Sequence, residues 1–448
     1  MNFQEFKQAV FTAADSMGIE EYEIYYQATA STSAGAFQQE INQFSSSVEG
    51  GVCFRCIAEG KMGYASTENL SPEQAIAIVK KAWDNAGILE SEEPVFLNAG
   101  GMEYASPQLA NYDLPSAEAL IGKVLQTQKK LYAADPSVVD GCSTQGFGEE
   151  ETIAICNSKG LDLSYRNRVA GLIVGALVAE KEEKANDYQI KLAKLDAIDT
   201  DELVQKAVAA AKEKLGSDTA PTMVCPVVFD PEAIASLLEV FSGVFSSEAA
   251  QKGLSLLAGK EGEIIASEAV TLMDDPFHKE NPMPVPFDAE GSPTYAKAVI
   301  EKGRLNTLLY NLKTAHQAGK ATTGNAAKGN YAASVAIRPF TMYLQAGDLT
   351  EEALLKKAGS GVYIQSLSGL HAGANPVSGD FSLQSAGYLI ENGRKTKAVK
   401  GFTVAGNFFD LLKNITAVAD TVHLPMPMGM TAFGGPCVLV ENLSIAGK

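Results

Sequence analysis

The chain has 448 residues, of which 46% are hydrophobic and 20% are charged, so it is a folded protein that is too long for one ordinary core. Its formal net charge is −18, from 36 basic and 54 acidic side chains. Because the chain is this acidic and has no Lys/Arg cluster, we expect no direct contact with nucleic acid and none with a membrane surface.

The first part of the chain, residues 1–218, is predicted to be a mixed α+β domain. It opens with an amphipathic helix rather than a signal sequence, and its longest apolar run is much too short to span a membrane, so we expect a cytoplasmic protein. Residues 217–222 are predicted to be a linker. Strand-like runs lie at 22–31, 35–44, 50–67 and 151–179, and helices are predicted at 71–87, 116–134 and 200–216.

The second part, residues 219–448, is predicted to be a strand-rich domain. It begins with a strand at 223–230, and a helix follows that we place at 231–257, with Asp230 and Pro231 at its start. From about residue 262, short strands alternate with Gly, Pro and Asn turns, which indicates a highly curved or barrel-like sheet. Since the strands occur in runs rather than alternating with helices, the fold class is α+β with two domains.

No complete catalytic motif is present in the sequence. The four histidines, His278, His316, His371 and His423, form no pair at metal-ligand spacing, and there is no nucleophile elbow or Walker loop. Cys53 and Cys56 form a C-x-x-C, but in an alternating strand their side chains point to opposite faces, so two buried strand cysteines are expected. The acidic pairs Asp274–Asp275 and Asp288/Glu290 are interpreted as turn caps.

Several blocks of the sequence, in order along nearly the whole chain, are similar to the TldD/PmbA metalloprotease family, also called modulators of DNA gyrase. The blocks are GGVCFRCIAEGKMGYASTENLS, DAEGSPT, TAHQAGKATTGNAA, GANPVSGDFSLQSAGYLIENGRKTKAVKGFTVAGNFFDLLKNI and the ending GGPCVLVENLSIAGK. The resemblance implies a heterodimer that cleaves unfolded or leader peptides. In such a pair the TldD-type subunit holds zinc through H-E-x-x-x-H and a late Cys, and the PmbA/TldE-type subunit lacks this motif.

This sequence departs from the metal-binding pattern and therefore resembles the PmbA/TldE type. In the matching helix, Leu238 and Gly243 stand at the two histidine positions, and Glu239 stands at the Glu position. The Gly-rich segment PMPMGMTAFGG has no Cys, and Cys437 follows it inside the closing strand. The resemblance thus implies no metal and no catalytic residue in this chain, with zinc held by a catalytic partner subunit.

The stretch 369–393, GLHAGANPVSGDFSLQSAGYLIENG, lies in the most recognisable block of the resemblance. Its glycines permit positive φ angles and close backbone approach, which suits a peptide added as an extra strand, a subunit contact, or a tight structural corner. His371 is interpreted as a loop member rather than a catalyst. The residues predicted to contact a peptide or subunit are His371, Asn375, Gly379, Asp380, Phe381 and Ser382.

Three functions are compatible with these observations. The favoured one is the metal-free subunit of a TldD/TldE-type zinc protease. The second is a peptide-binding or regulatory homodimer without protease activity. The third is an autonomous hydrolase that uses His371, Asp380 and a serine. Whether the chain has enzyme activity of its own is left open, and any effect on DNA gyrase is expected to be indirect because of the charge balance.

Overall fold

A computed structural model describes residues 1–90, 93–107, 113–425 and 431–448. The elements of the first part are α1 (Phe3–Ser16), β1 (Glu21–Phe37), β2 (Glu40–Ala58), β3 (Lys61–Thr67), α2 (Pro72–Gly87), α3 (Ala117–Ala134), β4 (Ser143–Asn157), β5 (Asp162–Glu180), β6 (Glu183–Leu192), the 3-10 helix Leu195–Ala197 and α4 (Thr200–Glu213).

The N-terminal part is built on one six-stranded antiparallel sheet in the order β3-β2-β1-β4-β5-β6. Strand residues alternate between its two faces. One face carries the helices, with Ile24 in the apolar cluster of α1 and α2 and Ala34 in the cluster of α3 and α4. The opposite face packs on the second part of the chain, through residues such as Tyr25 and Ile153 against Phe287.

The prediction of a single strand at 35–44 is wrong, because a two-residue turn divides this stretch into the end of β1 and the start of β2. Gln38 and Gln39 form this turn with φ angles of 51° and 64°. Two successive positive φ angles are the geometry of a type I′ hairpin turn, for which Asn-Gly or Asp-Gly is the usual sequence. Gln-Gln carries no such signal, so the turn was not detectable in the sequence.

The C-terminal part contains more strands, most of them short. Its elements are β7 (Met223–Phe229), α5 (Pro231–Phe241), the 3-10 helix Ser242–Phe245, α6 (Ser247–Gln251), β8 (Leu272–Asp274), β9 (Lys297–Glu301), β10 (Arg304–Leu305), α7 (Leu312–Ala318), β11 (Ala326–Ala327), β12 (Ala336–Ile337), β13 (Thr341–Leu344), α8 (Glu351–Ala358), β14 (Gly361–Ser368), α9 (Leu370–Gly373), β15 (Asp380–Glu391), β16 (Arg394–Asn407), α10 (Phe408–Asn414), β17 (Ile415–Val418), β18 (Ala432–Gly434) and β19 (Val438–Ala446).

Five of these strands close into a barrel. They follow the order β16-β15-β14-β7-β19, and pairing between β16 and β19, such as Val404 with Ile445, closes the ring, while β17 extends from β19. A second sheet has the order β10-β9-β8-β13-β18. The predicted α+β fold with a barrel-like C-terminal sheet is therefore confirmed. No described helix has the length and apolar character needed to cross a membrane.

The prediction of a single helix at 231–257 is wrong, because the structure has three short helical segments within this range. The α-helix α5 ends at Phe241, a 3-10 turn follows over Ser242–Phe245, and α6 is limited to Ser247–Gln251. Gly243 lies just after the end of α5, and glycine is among the poorest helix formers. The hydroxyl of Ser246 then accepts a hydrogen bond from the Ala249 amide and starts α6.

Candidate functional site

The segment predicted to contact a peptide or subunit folds as a closed corner between α9 and β15. Ala374 and Phe381 form an isolated antiparallel bridge across it. Inside the corner, the Asn375 amide donates to the Asp380 carbonyl at 2.8 Å, and the Gly379 amide donates to the Asn375 carbonyl at 2.8 Å. The corner is thus held by its own backbone, as a structural turn would be, while its outer rim stays exposed.

Two positions at this corner depend on the identity of their residues. Gly379 has a φ angle of 86°, and a Cβ there would lie 2.6 Å from the Phe409 ring, so only glycine fits. The Asn407 amide donates both to the Ser378 carbonyl and to Asp380 Oδ1, each at 2.9 Å. The hydrogen bonds from Asn407 and Ser378 lower the pKa of Asp380, so this exposed carboxylate is a fixed negative charge at the rim.

The remaining predicted residues point in different directions. Phe381 is buried in the core of the barrel domain, with its ring edge against Phe241, whereas Ser382 is exposed on the next position of β15. His371 is exposed on α9, and the hydrogen bonds resolved for the described residues include none from its ring. Because the carboxylate of Asp380 is held by Asn407 instead, the corner does not assemble a His–Asp–Ser constellation.

Helix α5, which carries the positions of the metal motif, lies beside this corner. Leu238 is 2% exposed and belongs to the main apolar core of the C-terminal part. Glu239 points to solvent, and Gly243 is exposed beyond the end of the helix. The Phe241 ring stacks on Phe408 at a centroid distance of 4.6 Å, which ties the helix to α10. The three motif positions therefore do not converge on one point.

The other potential metal ligands are separated and engaged elsewhere. Cys437 is buried with its Sγ 3.7 Å from the Tyr363 hydroxyl, and burial raises the pKa of this thiol to about 12. Since a metal binds the thiolate, such a cysteine is a poor ligand at neutral pH. The His278 ring lies against Tyr343, and burial lowers the pKa of that histidine. His423 exchanges backbone hydrogen bonds with Gly435 next to β18.

Two further predictions concern buried side chains. Cys53 and Cys56 are buried and free, on opposite faces of β2, as expected. Asp288 does cap a turn, since its carboxylate accepts from the amides of Glu290 and Ser292 at 2.9 Å each. In the other pair Asp275 also caps a turn, since its carboxylate accepts from the Phe277 amide at 3.0 Å. For Asp274 the interpretation as a turn cap is wrong, because this fully buried carboxylate forms an ion pair inside the protein with Lys297 at 3.1 Å.

A buried layer of charged side chains between the N-terminal sheet and the C-terminal part was not found from the sequence. Glu23 on β1 and Arg55 on β2 form an ion pair at 2.6 Å, and their side chains are 1% and 7% exposed. Glu290 faces the same guanidinium from the C-terminal part, where its carboxylate also accepts from the Leu312 amide at 2.8 Å. Lys328 completes the layer above the Tyr25 ring, 5.1 Å from its centroid.

The pKa values of three buried groups at this layer, Asp288, Glu290 and Lys328, are shifted. Burial, followed by the charge of Glu290, raises the pKa of Asp288 to about 7, and burial also raises the pKa of Glu290. Burial lowers the pKa of Lys328. A cavity of about 20 Å³, lined in part by Tyr25, Asp288 and Lys328, adjoins the layer and has room for roughly one water molecule. The layer joins the two parts of the chain, and the cavity beside it is too small for a substrate.

We expect the free energy of unfolding to fall between about pH 5 and about pH 8, with Glu290→Gln reducing this fall. Asp288 and Glu290 both have a folded-state pKa above the unfolded value, so their contribution to stability is complete below about pH 4 and is lost as the pH rises through the folded-state pKa, which for Asp288 is about 7. Urea unfolding across this range measures the effect. Glu239→Gln, at an exposed position, is the control and leaves the slope unchanged. An equal slope in wild type and Glu290→Gln would contradict the prediction.

Comparison with known proteins identifies the family. The description "PmbA/TldA metallopeptidase" applies to three matching family models, for domain 1 at residues 22–86, the central domain at 111–215 and the C-terminal domain at 222–447. The chain belongs to the PmbA/TldD metallopeptidase family. The resemblance carried by the sequence blocks is thereby confirmed.

Relatives of the family align over nearly the whole chain. A metalloprotease PmbA homolog from Haemophilus influenzae is 24% identical over 94% of this chain and 92% of its own length. A Thermotoga maritima crystal structure, described as a candidate modulator of a DNA gyrase, has 31% identity and a TM-score of 0.88 over 99% of this chain and 100% of that one. The crystal structure of TldE from Thermococcus kodakarensis has 25% identity and a TM-score of 0.88 over 98% of this chain and 99% of that one.

Zinc is the metal that the family implies, and the residues of this chain do not fit it. Leu238 and Gly243 have no donor atom, and Leu238 is enclosed by apolar side chains. Within residues 1–90, 93–107, 113–425 and 431–448, no three His, Cys, Asp or Glu side chains come together in a way that could hold a metal ion. Residues 426–430 of the Gly-rich segment at 425–435 lie outside these residues, but the sequence of the segment contains no Cys or His.

Proposed function

We propose that this chain is the non-catalytic, metal-free subunit of a two-chain zinc metalloprotease of the TldD/TldE type, acting on unfolded or leader peptides in the cytoplasm. The observation that carries the proposal is the state of the metal-motif positions. Leu238 is a core residue, Glu239 is in solvent and Gly243 has no side chain. A Glu without a metal-bound water has nothing to activate, so the zinc and the hydrolytic water belong to the partner subunit.

The corner at residues 374–381 supports a contact role for this subunit. Its backbone is fixed internally and its rim presents an ionised carboxylate from Asp380, so it is a preorganised polar surface. Beyond the corner, Ser382 and Gln384 are exposed on alternate positions of β15. A preformed rim next to an exposed strand face suits either an extended peptide or the facing surface of the catalytic subunit.

The direct test is to purify the chain alone and together with a paralogue that carries H-E-x-x-x-H. We expect the isolated chain to bind no zinc in native mass spectrometry and to leave casein and leader peptides intact. The mixed complex should cleave them, and chelation should abolish this activity. One zinc held tightly by the isolated chain, or chelator-resistant cleavage by it that is lost in His371→Ala, would contradict the proposal and favour an autonomous hydrolase.

A variant at the corner tests the contact role. Asp380→Ala in the mixed complex should lower kcat/KM for peptide cleavage about 10-fold, since a charge-assisted hydrogen bond is worth roughly 1.5 kcal/mol. Asp380→Asn keeps an acceptor for Asn407 but removes the charge, so it separates support of the corner from charge recognition. Asp410→Ala removes an exposed acid on α10 and serves as the control. Unchanged cleavage by Asp380→Ala with intact assembly would assign the corner to structure alone.

A further inference from the structure

Lys328 differs from the other charged residues of the buried layer because it has no carboxylate partner. The residue is only 4% exposed. Two other buried cations, Arg55 and Lys297, each form an ion pair with an acid, at 2.6 Å and 3.1 Å. In the part of the chain that the structure describes, no such pair involves Lys328. Since a lysine is seldom buried without a paired acid, an unpaired one points to a chemical role.

The side chain that Lys328 does contact is a thiol. Its amine lies within hydrogen-bond reach of the Cys53 side chain. Strand pairing supports this placement, because Cys53 lies opposite Tyr25 on the same face of the sheet, and the Lys328 Nζ is 5.1 Å from the centroid of the Tyr25 ring. Cys53 is free and is itself 4% exposed. A thiol of the N-terminal sheet and an amine of the C-terminal part are therefore enclosed together.

The surroundings favour a reaction between these two groups. An adjacent ammonium group stabilises a thiolate, which is the form of cysteine that a peroxide oxidises. Burial lowers the pKa of Lys328, which makes this ammonium a ready proton donor and its neutral amine accessible as a nucleophile. The cavity of about 20 Å³ is lined in part by Lys328 and Tyr25 and has room for one molecule close to water in size, such as hydrogen peroxide.

We propose that Cys53 and Lys328 form a redox-sensitive site at which hydrogen peroxide joins the two parts of the chain through a sulfur–nitrogen bond. In the first step the Cys53 thiolate attacks one peroxide oxygen and the O–O bond breaks. The departing hydroxide takes a proton from the Lys328 ammonium, which leaves water, a sulfenic acid and a neutral amine. In the second step the amine nitrogen attacks the sulfur, the S–O bond breaks, and the departing hydroxide takes a proton from the nitrogen to form a second water.

This bond connects the N-terminal sheet to the C-terminal part across the charged layer. Sulfur loses two electrons and the peroxide is reduced to two waters, so no further oxidant is needed. Two equivalents of a thiol reverse the reaction, because they return the Cys53 thiol and the Lys328 amine and leave as a disulfide. The linked form should unfold at a higher temperature, since a long loop is closed covalently. The site goes beyond the proposed function, because it requires neither the catalytic paralogue nor a peptide.

Peptide mass spectrometry of the whole chain after treatment with hydrogen peroxide tests the proposal. We expect a Cys53 peptide joined to a Lys328 peptide, with a mass about 2 Da below the sum of the two, because two hydrogens are lost and no oxygen is kept. Dithiothreitol should release both peptides unchanged. A Cys53 that stays a thiol, or that becomes a sulfinic acid without a linked peptide, would overturn the proposal. A linked pair that keeps an oxygen atom would overturn the sulfur–nitrogen bond.

Variants separate the contribution of the amine from that of the thiol. Lys328→Arg keeps the positive charge but has no amine that can condense, so a sulfenic acid at Cys53 should accumulate and react with dimedone. Cys56 lies on the opposite face of β2, where burial raises the pKa of its thiol to about 11, and Cys56→Ser should form the link as fully as wild type. Equal dimedone labelling of Cys53 in wild type and Lys328→Arg would show that the amine does not react, and would overturn the proposal.

Discussion

Leu238→His should lower the free energy of unfolding by about 2–5 kcal/mol, whereas Gly243→His should change it by about 0.5 kcal/mol or less. Leu238 is 2% exposed among the apolar side chains of the barrel domain, so an imidazole there loses the packing of the leucine and buries polar nitrogens. A Cβ at Gly243 meets no atom within 4 Å, so that position has open space for a side chain. The two positions at which the family motif has histidines therefore respond very differently.

Urea unfolding of both single variants and of the double variant measures this difference in stability. A zinc titration of the double variant measures whether the two histidines bind the metal. We expect no tight zinc binding by Leu238→His/Gly243→His, since one imidazole would point into the core and the other beyond the end of α5. Leu238→His with wild-type stability, or a double variant that binds one zinc per chain, would show that α5 still holds a metal-binding geometry. The non-catalytic assignment would then lose its physical basis.

Local signals in the sequence predicted the regular elements of the N-terminal part well. The helix predicted at 71–87 is observed at Pro72–Gly87, with Ser71 as its N-cap, and the helix at 116–134 is observed at Ala117–Ala134. Both have a capping residue followed by a 3.6-residue apolar period, and both signals depend only on neighbouring residues. The Gln38–Gln39 turn was missed because its conformation is imposed by the flanking strands and not by its own residues.

The candidate site was predictable only in part. Some of its contacts join residues that are close in the sequence, and others join residues that are far apart. The corner around Asn375 and Gly379 is built from local turn residues, and the sequence drew attention to it. The charged layer is formed by residues of β1, of β2 and of the loop around Glu290. This loop lies more than two hundred residues after β1 and β2 in the sequence. In the sequence, Glu23 and Arg55 look like ordinary surface charges of two strands.

Arg55→Met should destabilise the protein by about 3–5 kcal/mol, the range for breaking a buried ion pair from one side. Arg55 donates through Nε to Glu23 at 2.7 Å, and its guanidinium is the cation that Glu290 faces. Methionine fills a similar volume but leaves two buried carboxylates without compensation. Protonation neutralises them, so the stability difference between wild type and variant should grow as the pH rises from about 5 to about 8.

Two comparisons isolate the buried charge as the cause. Lys206→Met removes the cation of an exposed i,i+4 pair with Glu202, and should cost about 0.5 kcal/mol or less. Glu23→Gln combined with Arg55→Met should recover part of the loss, because the amide is neutral and can keep a hydrogen bond with Asn157. If Arg55→Met cost no more than Lys206→Met, the layer would be hydrated. Its charges would then contribute nothing to holding the C-terminal barrel domain on the N-terminal sheet.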